Sequence, residues 1–189
     1  MDWVDDMNGM ELITPSSISY TGNSASIGAN GVVTTSGTTS ISLNDVFSSN
    51  YEHYMATFNW YSNAGASQTR LEMRLRTGSS DVTSGYNFQR CWIEGSNAYP
   101  TRTTGQSRSY FLWRGGYGQR GFAVAQFYSP YSSGATPYSL YAYDDYNVVT
   151  LDRLEGFCSN GSSHHGFTIA ELSFGYSFNL EIAVYGMVK

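Results

Sequence analysis

Three stretches of this sequence bring together residues that can do chemistry. His164-His165, between Gly161 and Gly166, is the one imidazole pair in a chain with three histidines. Adjacent imidazoles can ligate a transition metal, but a closed tetrahedral site needs further ligands, and no Cys or third His stands at ligand spacing. The pair reads as a solvated loop. Its sharper alternative is an inter-subunit site, where symmetry multiplies the ligands. Asp144-Asp145-Tyr146-Asn147 offers oxygens to calcium but lacks the ligand spacing of a calcium-binding loop, so a turn closed by Asx hydrogen bonds fits better. With Tyr143 and Tyr146 beside Asp144 and Asp145, the same stretch is a candidate glycan contact: rings stack on sugar and carboxylates accept from its hydroxyls. Gly116 to Gly121 spells GxGxxG. A dinucleotide needs a helix N-terminus behind that loop, whereas Phe122 to Tyr128 alternates like a strand and stops at Pro130, so a glycine-rich hairpin loop is expected.

No GxSxG, HExxH or phosphate-loop motif is present, and the expectation is no catalytic centre, no metal and no cofactor. Lys189 is the only lysine in a chain of net charge −5, so no basic patch serves nucleic acid. No apolar run reaches the length of a membrane helix, and the acidic start MDWVDDMNGM is unlike a signal peptide. A soluble protein made in a cytoplasm is expected, with Cys91 and Cys158 reduced and buried. Tyrosine is the abundant side chain, 16 in all. Tyr128, Tyr131, Tyr138, Tyr141, Tyr143 and Tyr146 follow one another closely. They divide between core and surface, or else form an amphipathic contact face with large area at low entropic cost.

The elements that position these residues are strands. Gly, Asn and Ser interrupt the chain too often for long helices, and the periodic stretches alternate with period two. In Thr69 to Thr77, Leu71, Met73 and Leu75 face one side, and Arg70, Glu72, Arg74 and Arg76 form a solvated charged face. His53 to Tyr61, Ser107 to Arg114, Gly121 to Ser129, Tyr138 to Tyr143 and Leu180 to Tyr185 read similarly. Ala29-Asn30-Gly31 marks a hairpin between Ser24–Ile27 and Val32–Thr35. Turn chemistry recurs at Thr77–Ser80, Gly95–Asn97, Gly115–Gly118, Ser132–Gly134 and Ser159–Ser163. A short helical turn is expected at Leu43 to Tyr51, capped by Asn44 or Ser49. Many short strands with frequent turns predict an all-β, antiparallel, jelly-roll-like sandwich over residues 13–189. Residues 1–12 lack alternation and are expected to be a docking arm, with Trp3, Val4, Met7 and Met10 as its apolar contacts.

Three segments go beyond periodicity: Gly9 to Pro15, Ile41 to Tyr54 (ISLNDVFSSNYEHY), and Ile182 to Met187 (IAVYGM), with Leu71 to Arg76 as an LRLR-like strand between them. Together they resemble a family of small tailed-bacteriophage virion proteins of the minor tail or head decoration type, common in marine phages. His53 stands where that pattern usually has Asn or Asp. The resemblance implies structural roles for Leu43, Val46, Phe47, Tyr51, Tyr54, Tyr185 and Gly186. It also implies a non-enzymatic virion component, assembled in the host cytoplasm and bound to other phage structural proteins. Low charge and unprotected strand edges suggest a homo-oligomer, and the resemblance a trimer. The alternative is a receptor-binding fibre tip that contacts host surface glycans.

Overall fold

The computed structural model describes residues 9–62, 70–112, 120–144, 150–172 and 176–187. Its elements are all strands. In chain order they are β1 Glu11–Ile13, β2 Ser17–Ile27, β3 Val33–Asn44, β4 His53–Ser62, β5 Leu71–Thr77, β6 Ser80–Asp81 and β7 Tyr86–Glu94. These are followed by β8 Asn97–Gln106, β9 Ser109–Leu112, β10 Arg120–Tyr128, β11 Thr136–Asp144, β12 Thr150–Cys158, β13 Gly166–Glu171 and β14 Phe178–Met187. Among the described residues every pairing is antiparallel. The expected all-β antiparallel sandwich is what forms.

One layer is the run β8-β7-β12-β11-β10-β4-β14; the other contains β2, β3, β13 and β5, with β6 and β9 on β5. β3 belongs to both. Its first half pairs with β14 through Thr38, and its second half pairs with β13 from Ser40 onward. The ladder changes layer at two facing glycines. Gly37 has φ of 59° and Gly22, across the β2 bulge, 122°; a Cβ on Gly22 would lie 2.4 Å from the Gly37 carbonyl oxygen. Only glycine fits that crossing.

The layers close on aromatic side chains. Phe167 of β13 packs against Phe58 and Phe127 at ring separations of 5.9 and 5.6 Å, and Phe58 meets Phe111 of β9 at 4.5 Å. The alternation read in β4 and β5 holds on the core side: Tyr54, Ala56, Phe58, Trp60, Leu71, Met73 and Leu75 are all buried. The Asn-Gly hairpin joins β2 to β3, and Gly95-Ser96 closes a tight β7–β8 hairpin in which Glu94 pairs with Asn97.

Three expectations need correction. Leu43 to Tyr51 holds no helical turn: β3 continues to Asn44, and Asp45 then turns the chain with φ of 54°. Leu43, Val46 and Phe47 are still buried, because an extended strand end and loop can plug the sandwich as well as a helix can. Phe47 sits 4.8 Å from Tyr54 and 5.0 Å from Phe127. The Tyr54 hydroxyl accepts from the Ser48 N–H at 2.7 Å and donates to its carbonyl at 2.8 Å. The charged side of β5 is not solvated either. Glu72 and Arg76 are buried, Glu72 between Arg74 (2.8 Å) and Arg108 (2.6 Å), and Arg76 on Asp81 (2.6 Å), Ser42 and Thr168 (both 3.0 Å). Mutual pairing lets these charges leave water. Lastly, Glu11 and Leu12, expected in the arm, are strand residues paired with Gly186 and Tyr185.

The family-pattern residues meet at that end. The Tyr51 ring covers Gly186, where a Cβ would lie 2.5 Å from it, and the Tyr51 hydroxyl donates to the Glu11 carboxylate. That carboxylate pushes Tyr51 up to about 12. Tyr185 itself is half-buried on the opposite side of β14.

Candidate functional site

The long layer has an inner face on the core and an outer face that no described element covers. Alternation assigns every second residue of β10, β11, β12 and β7 to that outer face, and the strand registers place them in rows. The first row runs Phe122, Tyr143, Leu151, Ile93, and the second Val124, Tyr141, Arg153, Cys91. The third is Gln126, Ser139, Glu155, Gln89, reaching Arg102 on β8, and the fourth is Pro137, Phe157, Asn87, with Tyr128 at the end of β10 lining the same hollow. Neighbours in a row are roughly 5 Å apart, the strand spacing.

The composition of these rows inverts the usual rule of apolar inside and polar outside. Phe122, Tyr141, Tyr143, Leu151 and Phe157 are each more than 40% exposed, while Arg90 and Asp152 on the inner face are 4% and 5% exposed. The inner pair is a charge-assisted fork: Arg90 Nε lies 2.8 Å from both Asp152 oxygens, and its guanidinium stands 4.9 Å over the Trp92 ring.

Outside, aromatic rows flank a polar one. The Gln126 amide oxygen accepts from the Tyr128 hydroxyl (2.9 Å) and from Ser139 (3.3 Å). Arg153 donates to Glu155 Oε1 through Nη2 (2.7 Å) and Nε (3.1 Å) and lies 5.3 Å over the Tyr141 ring. A hollow of about 480 Å³ lies over the polar row, lined by Gln89, Arg102, Gln126, Tyr128, Tyr141 and Phe157 among others. A more apolar one of about 530 Å³ adjoins it between Phe122, Tyr143, Leu151 and Ile93. Such a surface can stack planar or sugar rings and hydrogen-bond their substituents.

Of the residues singled out from sequence, Tyr143 belongs to this face. Asp145 and Tyr146 lie outside the described residues, and Asp144 ends β11, paired with Gly121 and Thr150. Trp3, Val4 and Met7 of the arm also lie outside, and Met10 is exposed. The tyrosine cluster divides by strand parity: Tyr128, Tyr141 and Tyr143 face out, and Tyr138 faces the core. Gly121, the last glycine of the GxGxxG stretch, sits in β10 beneath the Trp60 indole, which leaves no room for a Cβ.

His164 corrects the solvated-loop expectation, for its side chain is fully buried. Nε2–H donates to Asn160 Oδ1 at 3.1 Å, and the Thr136 hydroxyl donates to Nδ1 at 2.8 Å, so both ring nitrogens are engaged. Burial, with His165 adjacent, pushes its pKa down to about 4. His165 stays near the surface, 3.8 Å from Asp45 and 5.0 Å from the Tyr131 ring. Among the described residues no three His, Cys, Asp or Glu side chains converge on a metal position. Cys91 and Cys158 are both free thiols; Cys158 is buried and Cys91 half-buried.

Sequence reasoning missed Phe122, Leu151, Arg153, Glu155, Phe157, Gln89 and Arg102. The available signal was the alternation of Thr150–Cys158, where Leu151, Arg153, Glu155 and Phe157 share one parity.

No protein-family model matches the chain, and no curated protein does. Solved structures of similar architecture include peanut lectin in complex with a 9-residue peptide, at 11% identity and TM-score 0.40 over 95% of this chain and 98% of the lectin. Another is a Shewanella oneidensis MR-1 protein of unknown function, at 12% identity and TM-score 0.35 over 96% of this chain and 80% of that one. A third is the CBM2 module of the evolved Dit of a Lactobacillus casei phage, at 13% identity and TM-score 0.33 over 95% and 96% of the two chains. These likenesses concern the course of the backbone.

Proposed function

We propose that the chain is a non-enzymatic binding module that holds glycan on the outer face of its long layer, as a receptor-contacting component of a phage particle. One observation carries the reading: rings exposed above and below a row of hydrogen-bonding side chains. Sugar presents apolar C–H faces and a rim of hydroxyls, and this face supplies both complements within one hollow. A subunit acting only through dry protein contacts gains nothing from Gln126, Ser139, Glu155, Gln89 and Arg102 across the middle of its patch. The phage setting rests on the sequence resemblance.

The test is a glycan array probed with the wild-type chain and with Tyr141→Ala and Phe157→Ala. The reading predicts binding that each substitution weakens at least tenfold, about 1.4 kcal/mol, with unchanged folding. Absence of binding, or binding that ignores both substitutions, would overturn it in favour of a purely structural subunit.

Self-association belongs to the same proposal. No charged residue occurs between Glu11 and Asp45, and β2 pairs only with β3 among the described residues, so one long uncharged edge is open. Such an edge favours symmetric assembly, and a trimer is the state proposed. Sedimentation as a monomer at micromolar concentration would count against it.

A further inference from the structure

We infer that the ligand of this outer face carries an anionic group, a carboxylate or sulfate on the glycan, and that Arg102 receives it. The inference rests on the glycan reading and goes further, to the charge class of the sugar.

The charges of the polar row are unevenly matched. Glu155 is already neutralised, since Arg153 donates to its Oε1 through two nitrogens and is itself held in place over Tyr141. Arg102 stands at the other end of the row, opposite Gln89 on β7, and lines the hollow. It makes no ion pair or side-chain hydrogen bond with any described residue, and it is exposed. Of the other described arginines, those at positions 74, 76, 90, 108 and 153 each have a carboxylate partner. In a chain of net charge −5, the hollow thus holds one uncompensated charge, and it is positive.

A guanidinium with its fork open toward a ring-lined hollow suits a planar carboxylate or a sulfate, which it can grip through two N–H donors. Neutral sugar leaves that fork to water. Tyr128, Tyr141 and Phe157 would take the ring faces while Gln89 and Gln126 meet hydroxyls. The anionic substituent therefore points toward β8.

The experiment uses matched pairs of oligosaccharides that differ only in one carboxylate or sulfate, presented to wild type, Arg102→Gln and Arg102→Lys. The acidic member of at least one pair should bind tenfold or more tightly than its neutral counterpart. Arg102→Gln should remove that preference, weakening the acidic member at least tenfold more than its neutral counterpart, and Arg102→Lys should restore part of it. Carboxylate and sulfate pairs read separately distinguish the two anions. Equal or better binding of the neutral members overturns this inference and leaves the glycan reading standing. Binding of no member overturns both.

Discussion

Lowering the pH from 7.5 to 4.5 should weaken the fold through one imidazole. In the unfolded chain His164 titrates near the ordinary value of 6.5; in the folded chain, burial and the neighbouring His165 hold it down to about 4. Between those values the unfolded chain takes up a proton that the native loop refuses. The contribution of His164 is therefore complete above pH 6.5 and is lost as pH falls toward 4. At about 1.4 kcal/mol per pH unit the gap amounts to ~3 kcal/mol. Solvent at the loop surface screens part of this, and a loss of about 2 kcal/mol is expected. Protonation would cost the native state its hydrogen bond from Thr136, because a protonated Nδ1 cannot accept. Carboxylates also begin to titrate at the acid end, so the comparison is with His164→Gln, which has no proton to gain. The His165–Asp45 pair is common to both proteins and cancels. Urea unfolding followed by tryptophan fluorescence at half-unit pH steps should show wild type losing about 2 kcal/mol more than the variant. Parallel stability curves would refute the buried, neutral imidazole.

Other perturbations test other parts of the structure. Asp152→Ala leaves the Arg90 guanidinium inside the sandwich without its carboxylate and should cost about 3–5 kcal/mol; equilibrium urea unfolding measures it, with Asp152→Asn expected to lose less. Gly166→Ala drives a methyl to 2.0 Å from the Leu43 carbonyl oxygen, a backbone atom with little freedom to yield, and should destabilise by about 3 kcal/mol in the same assay. Gly186→Ala meets instead the Tyr51 ring, which can swing toward solvent; a smaller loss of about 1–2 kcal/mol is expected, accompanied by a fall in the Tyr51 pKa as its hydroxyl leaves Glu11.

The fold was legible where parity and burial agree. β4 and β14 place their larger apolar residues mostly on one side, and the hairpin and turn glycines stand where the strands reverse. Legibility failed where charges pair out of water. Glu72 and Arg76 look like solvent residues in a linear sequence; the adjoining hairpin brings Asp81, but only segments distant along the chain bring Ser42, Thr168 and Arg108 to them. The same effect hid the outer face. In β12 the buried parity contains Asp152 and the exposed parity Phe157 and Leu151, so hydrophobicity alone points the strand the wrong way. His164 escaped because a Ser-, Gly- and Asn-rich loop reads as solvated, whereas its backbone folds onto Pro130. The tyrosines announced that a contact surface was available; which of them face outward depended on registers that no single strand contains.

Mapping the bound ligand onto the outer face tests the central claim most directly. The oligosaccharide that scores highest on the array would be titrated into isotope-labelled protein, with NMR shifts followed for backbone and aromatic resonances. The account predicts saturable shifts concentrated at Tyr128, Tyr141, Phe157, Gln126, Gln89 and Arg102, with the inner-face residues Tyr54, Phe58 and Phe167 unmoved. Shifts confined to β2 or to the 159–165 loop, or no saturable shift at all, would contradict it.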